Sequence, residues 1–319
     1  MTLTRRLFAT LAAAAVARPA LADAFPDAPI RIVVPFAPGG SLDVLGRFYA
    51  QHLNQRLGWR VAVENRSGAG GNIGTEVVAR ARPDGYTLLL NAENIAVAPG
   101  LFPTLPFDPV TDLEALALAA RISHVLSVPV ASPIRSFADY VAQARARPGE
   151  MAAGNPGAAS TGHLCAALLG QAGVPITPLP YRGGGPLAQD IAAGHVQSAF
   201  LTVPSALGLL RNGSIRPLAV TSPRRSLFLP EVQTMAETFP EVSIDSWQGF
   251  FLPAGTPPEV SQVLHREINA TTELPAVKEW LLGQAFEPVV LPSSELGGIM
   301  ALEVPRWRRV THEVGMQSF

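Results

Sequence analysis

The feature that most constrains this chain is a repeated succession of a short apolar run, a glycine-rich turn and a helical pattern. An apolar run at 30–34 leads into Pro38-Gly39-Gly40, and a helical pattern follows over 41–57. The same succession recurs over 60–80. This alternation of strands and helices predicts an α/β fold with a parallel sheet that carries helices on both faces.

Composition and a shift in this pattern divide the predicted fold into two lobes. Of the 319 residues, 48% are hydrophobic and 15% are charged, so the chain can bury a core and is not disordered. The pattern shifts near residue 120 and again near residue 222. We therefore predict one α/β lobe from 25–120 with 223–319, a second from 121–222, and a hinge at the two crossings.

Proline and glycine exclude an all-helical alternative. The chain has 30 prolines and 28 glycines, and both residue types interrupt regular elements. The pattern over 295–314 predicts a closing helix that is interrupted near Pro305, since proline lacks the backbone N–H that a helix interior uses.

The first 22 residues have the pattern of a signal peptide. Arg5 and Arg6 precede an alanine-rich apolar run to Val16, and Ala20-Leu21-Ala22 supplies the small residues that a signal peptidase accepts. The run is about ten residues long, too short to cross roughly 30 Å of hydrocarbon. The sequence predicts export to the periplasm, by the twin-arginine or the general route, and a soluble mature chain from Asp23. An ordinary amphipathic helix at the amino terminus is the alternative.

Charge and residue counts exclude several function classes. The formal net charge is −1, from 24 basic and 25 acidic residues, so no basic surplus exists to bind nucleic acid. Lys278 is the only lysine and Cys165 the only cysteine, which excludes a Walker-A site, a disulfide framework and a cysteine-based zinc cluster. The six histidines contain no i, i+4 pair, and we predict neither a metal site nor a cofactor.

The turn at Pro38-Gly39-Gly40 is the clearest candidate for binding. The first N–H groups of the following helix have no internal partner, and the helix dipole adds about half a positive charge there. Asp43 in the first helical turn could cap the helix or accept a hydrogen bond from a ligand. A tight turn with a capping aspartate, without any ligand, is the alternative.

A second and a third loop open helices in the predicted second lobe. In the second loop, Asn155 is followed by Ser160 and Thr161, which favour the N-cap position, and by His163, which we expect to be neutral at a helix start. The third loop follows Tyr181, whose hydroxyl could flank a ligand. A capped helix with a partly buried histidine explains the second loop equally well.

Two enzymatic interpretations remain open on the residues alone. The loop at 68–74 resembles a dinucleotide fingerprint with its third glycine displaced by one position, and Glu93 follows about 20 residues later. Ser160, His163 and Asp190 supply the residue types of a hydrolase, although Gly157-x-x-Ser160-x-Gly162 is one residue longer than a nucleophile elbow.

Taken together, these stretches resemble the TctC/Bug family of extracytoplasmic solute receptors, which serve tripartite tricarboxylate transporters. The segments that carry the resemblance are Pro35-Phe36-Ala37-Pro38-Gly39-Gly40 with Asp43, Val63-Glu64-Asn65-Arg66, Pro83-Asp84-Gly85-Tyr86, Pro180-Tyr181-Arg182-Gly183-Gly184, and Pro253-Ala254-Gly255-Thr256-Pro257. Three positions depart from the family pattern, and they bear on the ligand more than on the fold. Leu42 stands where threonine is usual, Arg182 where lysine is usual, and Gly185 where alanine or serine is usual.

The resemblance implies a type II periplasmic-binding-protein fold whose two lobes close on a small organic carboxylate. Backbone N–H groups and ordered water would hold the acid group, and the membrane permease subunits of the transporter would receive the ligand. The chain would then be a monomeric receptor and not an enzyme; a receptor-like sensor that serves a signalling partner has the same sequence features. The candidate ligand-binding residues are Phe36, Pro38, Gly39, Gly40, Asp43, Asn91, Asn155, Ser160, Thr161, His163 and Tyr181.

Overall fold

The computed structural model of the protein describes residues 25–316, and the predicted signal peptide lies outside the described residues. The strands are β1 (Ile30–Val34), β2 (Val61–Asn65), β3 (Thr87–Ala92), β4 (Leu113–Ile122), β5 (His124–Pro129), β6 (Ala152–Asn155), β7 (Thr177–Pro180), β8 (Ser198–Thr202), β9 (Ile215–Val220), β10 (Ser246–Pro253) and β11 (Glu287–Pro288). The helices are α1 (Ser41–Leu57), α2 (Asn72–Ala79), α3 (Asn94–Leu101), α4 (Phe137–Ala146), α5 (Thr161–Gln171), α6 (Gly184–Ala192), α7 (Val203–Arg211), α8 (Pro258–Glu273), α9 (Pro275–Gly283) and α10 (Ser293–Glu313). Short 3-10 turns occur at Ala69–Gly71 and Met235–Glu237.

The strands form two sheets. In the first sheet the order is β11-β4-β10-β3-β1-β2, and in the second it is β7-β6-β8-β5-β9. Strand β1 pairs in parallel with β2 and β3, and β6 pairs in parallel with β7 and β8. The prediction of two α/β units is confirmed.

Each sheet is mixed and not purely parallel, contrary to the prediction. Strand β10 runs antiparallel to β3 and β4, and β5 runs antiparallel to β8 and β9. These two strands are the ones that enter a sheet from the other sheet. Strand β5 follows β4 after Ser123 alone, and β10 is reached through the segment 221–245. The chain therefore crosses between the sheets twice.

The first sheet buries apolar side chains on both faces, as expected for a sheet between two helical layers. Ile32 and Leu88 pack with α1 and α8 on one face. Val33 and Leu89, the next residues along the same strands, pack on the other face with α2, α3 and α10. Successive side chains along β1 and β3 face opposite sides of the sheet, so helices can pack on both faces.

Helix α10 is continuous through Pro305, so the predicted interruption is wrong. Pro305 and Ala301, whose carbonyl loses its helical partner, both lie on the exposed side of the helix, where water can replace the missing hydrogen bond. Val304 and Trp307 are buried and hold this turn against the core. None of the helices within residues 25–316 is both long enough and apolar enough to cross a membrane.

Candidate functional site

A cavity of about 50 Å³ lies between the two sheets. Many of its lining residues lie at or after the carboxyl ends of parallel strands from both sheets, the position where α/β sheets bind ligands. From the first sheet it is lined by Phe36, Ala37, Gly40, Ser41, Leu42, Asp43, Ala92, Glu93, Asn94, Ile122 and Gln248. From the second it is lined by His124, Pro156, Ser160, Gly184, Thr202 and Ser205. This volume admits only a few water-sized groups, so it suits a small ligand.

The amino end of α1 supplies backbone donors to the cavity. Gly40 is the N-cap and has extended backbone, and no side chain caps the helix there. The Ser41 amide donates to Ser205 Oγ at 3.0 Å. Among the described residues, no acceptor lies within hydrogen-bond range of the amides of Gly40, Leu42 and Asp43. Free amides at a helix start favour an anion, so this end of α1 is a candidate anion site.

Asp43 fixes the loop before α1 from inside. Its carboxylate accepts from the Gly39 amide at 3.0 Å, from Asn65 Nδ2 at 2.9 Å and from Arg47 Nε at 3.0 Å. Burial would raise the pKa of Asp43, but the hydrogen bonds from Arg47, Gly39 and Asn65 outweigh it and lower the pKa. Asp43 is therefore ionised at neutral pH, and its oxygens are engaged by the protein itself.

The amino end of α5 is organised by its own side chains. Ser160 is the N-cap, and its Oγ accepts from the His163 amide at 3.4 Å. Asn155 Oδ1 accepts from the Gly157 amide at 3.1 Å. Thr161 Oγ1 donates to Glu93 Oε1, across the gap between the two sheets, at 2.5 Å.

His163 is neutral, as the sequence predicts. Burial lowers its pKa to about 4. Its Nδ1 accepts from the Ala159 amide at 3.2 Å, which leaves the ring proton on Nε2. Asp190 accepts from the Tyr181 hydroxyl at 2.7 Å and lies 3.4 Å from His195 Nδ1. The geometry therefore does not assemble Ser160, His163 and Asp190 into a catalytic triad.

Direct contacts join the two sheets around the cavity. The Ala37 amide donates to the Arg182 carbonyl at 2.8 Å. A Cβ on Gly70, whose φ is +64°, would lie 2.7 Å from the Ala158 carbonyl oxygen. The loop at 68–74 is thus filled by protein backbone from the second sheet, which disfavours the dinucleotide interpretation. The contacts describe a closed arrangement of the two halves.

The structure places four of the predicted ligand-binding residues at the cavity: Phe36, Gly40, Asp43 and Ser160. Pro38 and Gly39 are exposed, and neither they nor the remaining predicted residues line the cavity. Asn91, Asn155 and Thr161 are fully buried, with 0% exposure. Residues 25–316 bring together no group of three or more His, Cys, Asp or Glu side chains that could hold a metal ion.

Three polar residues that line the cavity and are almost fully buried were not among the predicted ligand-binding residues, and Glu93 was considered only for a dinucleotide site. Glu93 follows β3, His124 begins β5, and Gln248 lies within β10. Their exposed fractions are 2%, 3% and 1%. Burial lowers the pKa of His124, although the nearby Glu93 charge opposes this effect. A glutamate directly after an apolar strand and a glutamine inside another were the available signals, since such residues are rarely buried without a partner.

Known proteins with similar sequences and structures agree with this architecture. Protein BugT from Bordetella pertussis is 37% identical over 309 residues, which cover 96% of this chain and 95% of that protein. The solved structure of R. palustris Rpa4515 with adipate is 34% identical, with a TM-score of 0.88 over 92% of this chain and 100% of that chain. The periplasmic binding protein BugD is 29% identical, with a TM-score of 0.87 over 92% of this chain and 100% of that chain. The predicted periplasmic-binding-protein fold is confirmed.

The family model described as the tripartite tricarboxylate transporter family receptor, TctC, matches residues 45–316. That range contains most of α1, all of the second sheet and every strand of the first sheet except β1. The chain therefore belongs to the TctC family of tripartite tricarboxylate transporter receptors.

Proposed function

We propose that this protein is an extracytoplasmic receptor that captures a small organic carboxylate in the cavity between its two sheets. It then delivers the ligand to the membrane permease subunits of a tripartite tricarboxylate-type transporter. One observation carries the proposal: Gly40, Leu42 and Asp43, whose amides have no acceptor among the described residues, line a small cavity at the amino end of α1. The neighbour that holds adipate supports an organic acid as the ligand class.

The energy of such a site does not require a cationic pocket. A dissociation constant of 1 µM corresponds to about −8 kcal/mol. Hydrogen bonds that involve a charged group contribute about 1.5–3 kcal/mol each, so three amides on one carboxylate supply much of that affinity. Phe36 walls the cavity and keeps water from the acid group.

Ligand entry requires the two halves to separate, because hydrogen bonds join the two sheets on more than one side of the cavity. We propose that residues 25–120 with 223–319 form one lobe and 121–222 the other, and that bending at the two crossings opens the cleft. The division of strands between the sheets supports these limits. Residues 1–22 would direct the chain to the periplasm, in keeping with a periplasmic relative.

Mass spectrometry of ligand carried through purification, followed by calorimetry with the identified acid, tests the proposal. Ala92 lines the cavity, so Ala92→Leu should fill it and reduce affinity at least tenfold. Ala142→Leu makes the same change on the exposed face of α4 and should leave affinity unaltered. Unchanged binding by Ala92→Leu, or a carried ligand with no acid group, would refute the proposed site.

A further inference from the structure

Glu93 places a carboxylate of the protein itself at the amino end of α5. Its Oε1 accepts from the Thr161 hydroxyl at 2.5 Å and from the Thr161 amide at 3.3 Å. Its Oε2 accepts from Ser246 Oγ at 2.5 Å. Helix starts favour anions, and here the anion comes from the other sheet. The partial positive charge at the start of α5 is thus already balanced by the Glu93 carboxylate in this closed arrangement.

This arrangement disfavours a ligand with two carboxylates. A second ligand carboxylate at α5 would have to displace Glu93 or lie beside it, and like charges that face each other in a desolvated cleft repel. The cavity lining contains two carboxylates, Asp43 and Glu93, and no arginine or lysine among the described residues. Arg47 balances Asp43, but no arginine or lysine within residues 25–316 forms an ion pair with Glu93. His124 Nε2 lies 3.9 Å from Glu93 Oε1, but burial lowers the pKa of this histidine, so it does not supply a positive charge at neutral pH.

The cavity lining also contains buried acceptors that lack donors. Gln248 Nε2 donates to Ser41 Oγ at 2.7 Å, while its buried Oε1 has no partner among the described residues. His124 Nδ1 is buried and likewise has no partner there. Each carboxylate oxygen can accept two hydrogen bonds, and Glu93 Oε2 accepts one from the protein. A buried acceptor without a donor is costly, so the cavity is suited to a ligand that donates hydrogen bonds.

We propose that the ligand carries a single carboxylate and, at its other end, a cationic nitrogen whose N–H groups donate to Glu93 and Gln248. The carboxylate lies on the free amides of α1, and the nitrogen lies between the two acceptors. The inference rests on the proposed function and narrows it to zwitterionic amino acids.

Calorimetry on ligand-free protein with matched pairs of compounds tests this inference. Each pair replaces one carboxylate with an aminomethyl group at equal chain length: malonate with 3-aminopropanoate, succinate with 4-aminobutanoate, glutarate with 5-aminopentanoate, and adipate with 6-aminohexanoate. We expect the amino acid of at least one pair to bind at least tenfold more tightly than its dicarboxylate. Glu93→Gln keeps the shape of the side chain and removes its charge, so it should reduce that preference at least tenfold.

Two further variants separate a specific effect from a general one. Glu267→Gln removes a partly buried carboxylate on α8 that does not line the cavity, and it should leave the preference unchanged. Gln248→Leu removes the unpartnered Oε1 and should weaken the amino acid more than the dicarboxylate, which keeps the inference testable if Glu93→Gln fails to fold.

The inference is wrong if every dicarboxylate binds at least as tightly as its partner, if neither Glu93→Gln nor Gln248→Leu alters the preference, or if none of the eight compounds binds. Dicarboxylate binding that Ala92→Leu abolishes would leave the proposed function standing while this inference fails. A carried-over ligand without any acid group would remove both.

Discussion

Asp43 offers the sharpest test of how the first half of the cavity is built. Its carboxylate accepts hydrogen bonds from the Gly39 amide, Asn65 and Arg47, so we do not expect it to contact the ligand directly. We therefore expect Asp43→Ala to act through the position of the loop. The Gly40 amide would lose its fixed place, and ligand affinity should fall at least tenfold, or about 1.4 kcal/mol.

The structure also sets the cost to stability. Hydrogen bonds from Gly39 and Asn65 to a carboxylate are worth about 1.5 kcal/mol each at the low end of the range for charged groups. The Arg47 side chain is 54% exposed, so its ion pair adds little. Asp43→Ala should thus cost about 3 kcal/mol, a fall in Tm of roughly 6 °C at about 2 °C for each kcal/mol. Asp43→Asn keeps the shape and one acceptor, and it should cost less.

The pH dependence gives an independent check on this assignment. Since the pKa of Asp43 is lowered in the folded protein from its ordinary 3.8, its contribution is complete above that value and is lost as the pH falls through the folded pKa. The difference in urea midpoint between wild type and Asp43→Asn should therefore be present at pH 6 and shrink below pH 4.

Asp139 provides the matched control, because it is also a first-turn aspartate. On α4 it accepts from the backbone amides of Arg135 and Ser136, and it does not line the cavity. Asp139→Ala should lower the Tm and leave ligand affinity at the wild-type value. If calorimetry finds that Asp43→Ala also keeps wild-type affinity, the loop before α1 does not position the ligand.

Three further predictions follow from the buried polar groups. Thr161→Val removes the hydroxyl that donates to Glu93 across the cleft, so small-angle scattering of the ligand-free variant should give a larger radius of gyration; an unchanged radius would show that this contact does not hold the lobes together. Burial raises the pKa of Glu303 to about 7 from 4.5, although the hydrogen bond from Trp247 opposes it. Because folding favours the protonated form, stability should fall by up to about 3 kcal/mol between pH 4.5 and 7, and urea midpoints of Glu303→Gln should lack that slope. Burial lowers the pKa of His163 to about 4 from 6.5, so its contribution to stability is lost as the pH falls from 6.5 towards 4, and an NMR titration that finds a charged ring at pH 5.5 would contradict the geometry.

Local signals explain why part of the fold could be predicted from the sequence. Helix α1 begins at Ser41 because two glycines before it end the strand and the loop, and its predicted bounds are confirmed. Helix α4 begins with an equally local signal, since its N-cap Ser136 exchanges reciprocal hydrogen bonds with Asp139. Strand β4 and helix α3 received no prediction, because the apolar stretch over 94–120 has no clear period.

The direction of strands and the composition of the cavity could not be predicted from local signals. Strands β5 and β10 are antiparallel because the chain enters each sheet from the other, which is a property of the whole path. Glu93 and Gln248 are 155 residues apart in the chain and meet at the cavity only through the pairing of β3 with β10. Asp43 was identified, since it is close in sequence to the glycines that it supports.

The distribution of charge is compatible with the proposal that this acidic protein binds an acid. Removing the predicted signal peptide removes three arginines and no acid, so 24 − 3 = 21 basic residues face 25 acidic ones in the mature chain. The overall field therefore repels an anion, and attraction must be local. Arg47 offsets Asp43, and Glu93 offsets the start of α5. What remains is the first turn of α1, with about half a positive charge and its free amides, and it is there that we propose the single carboxylate of the ligand to bind.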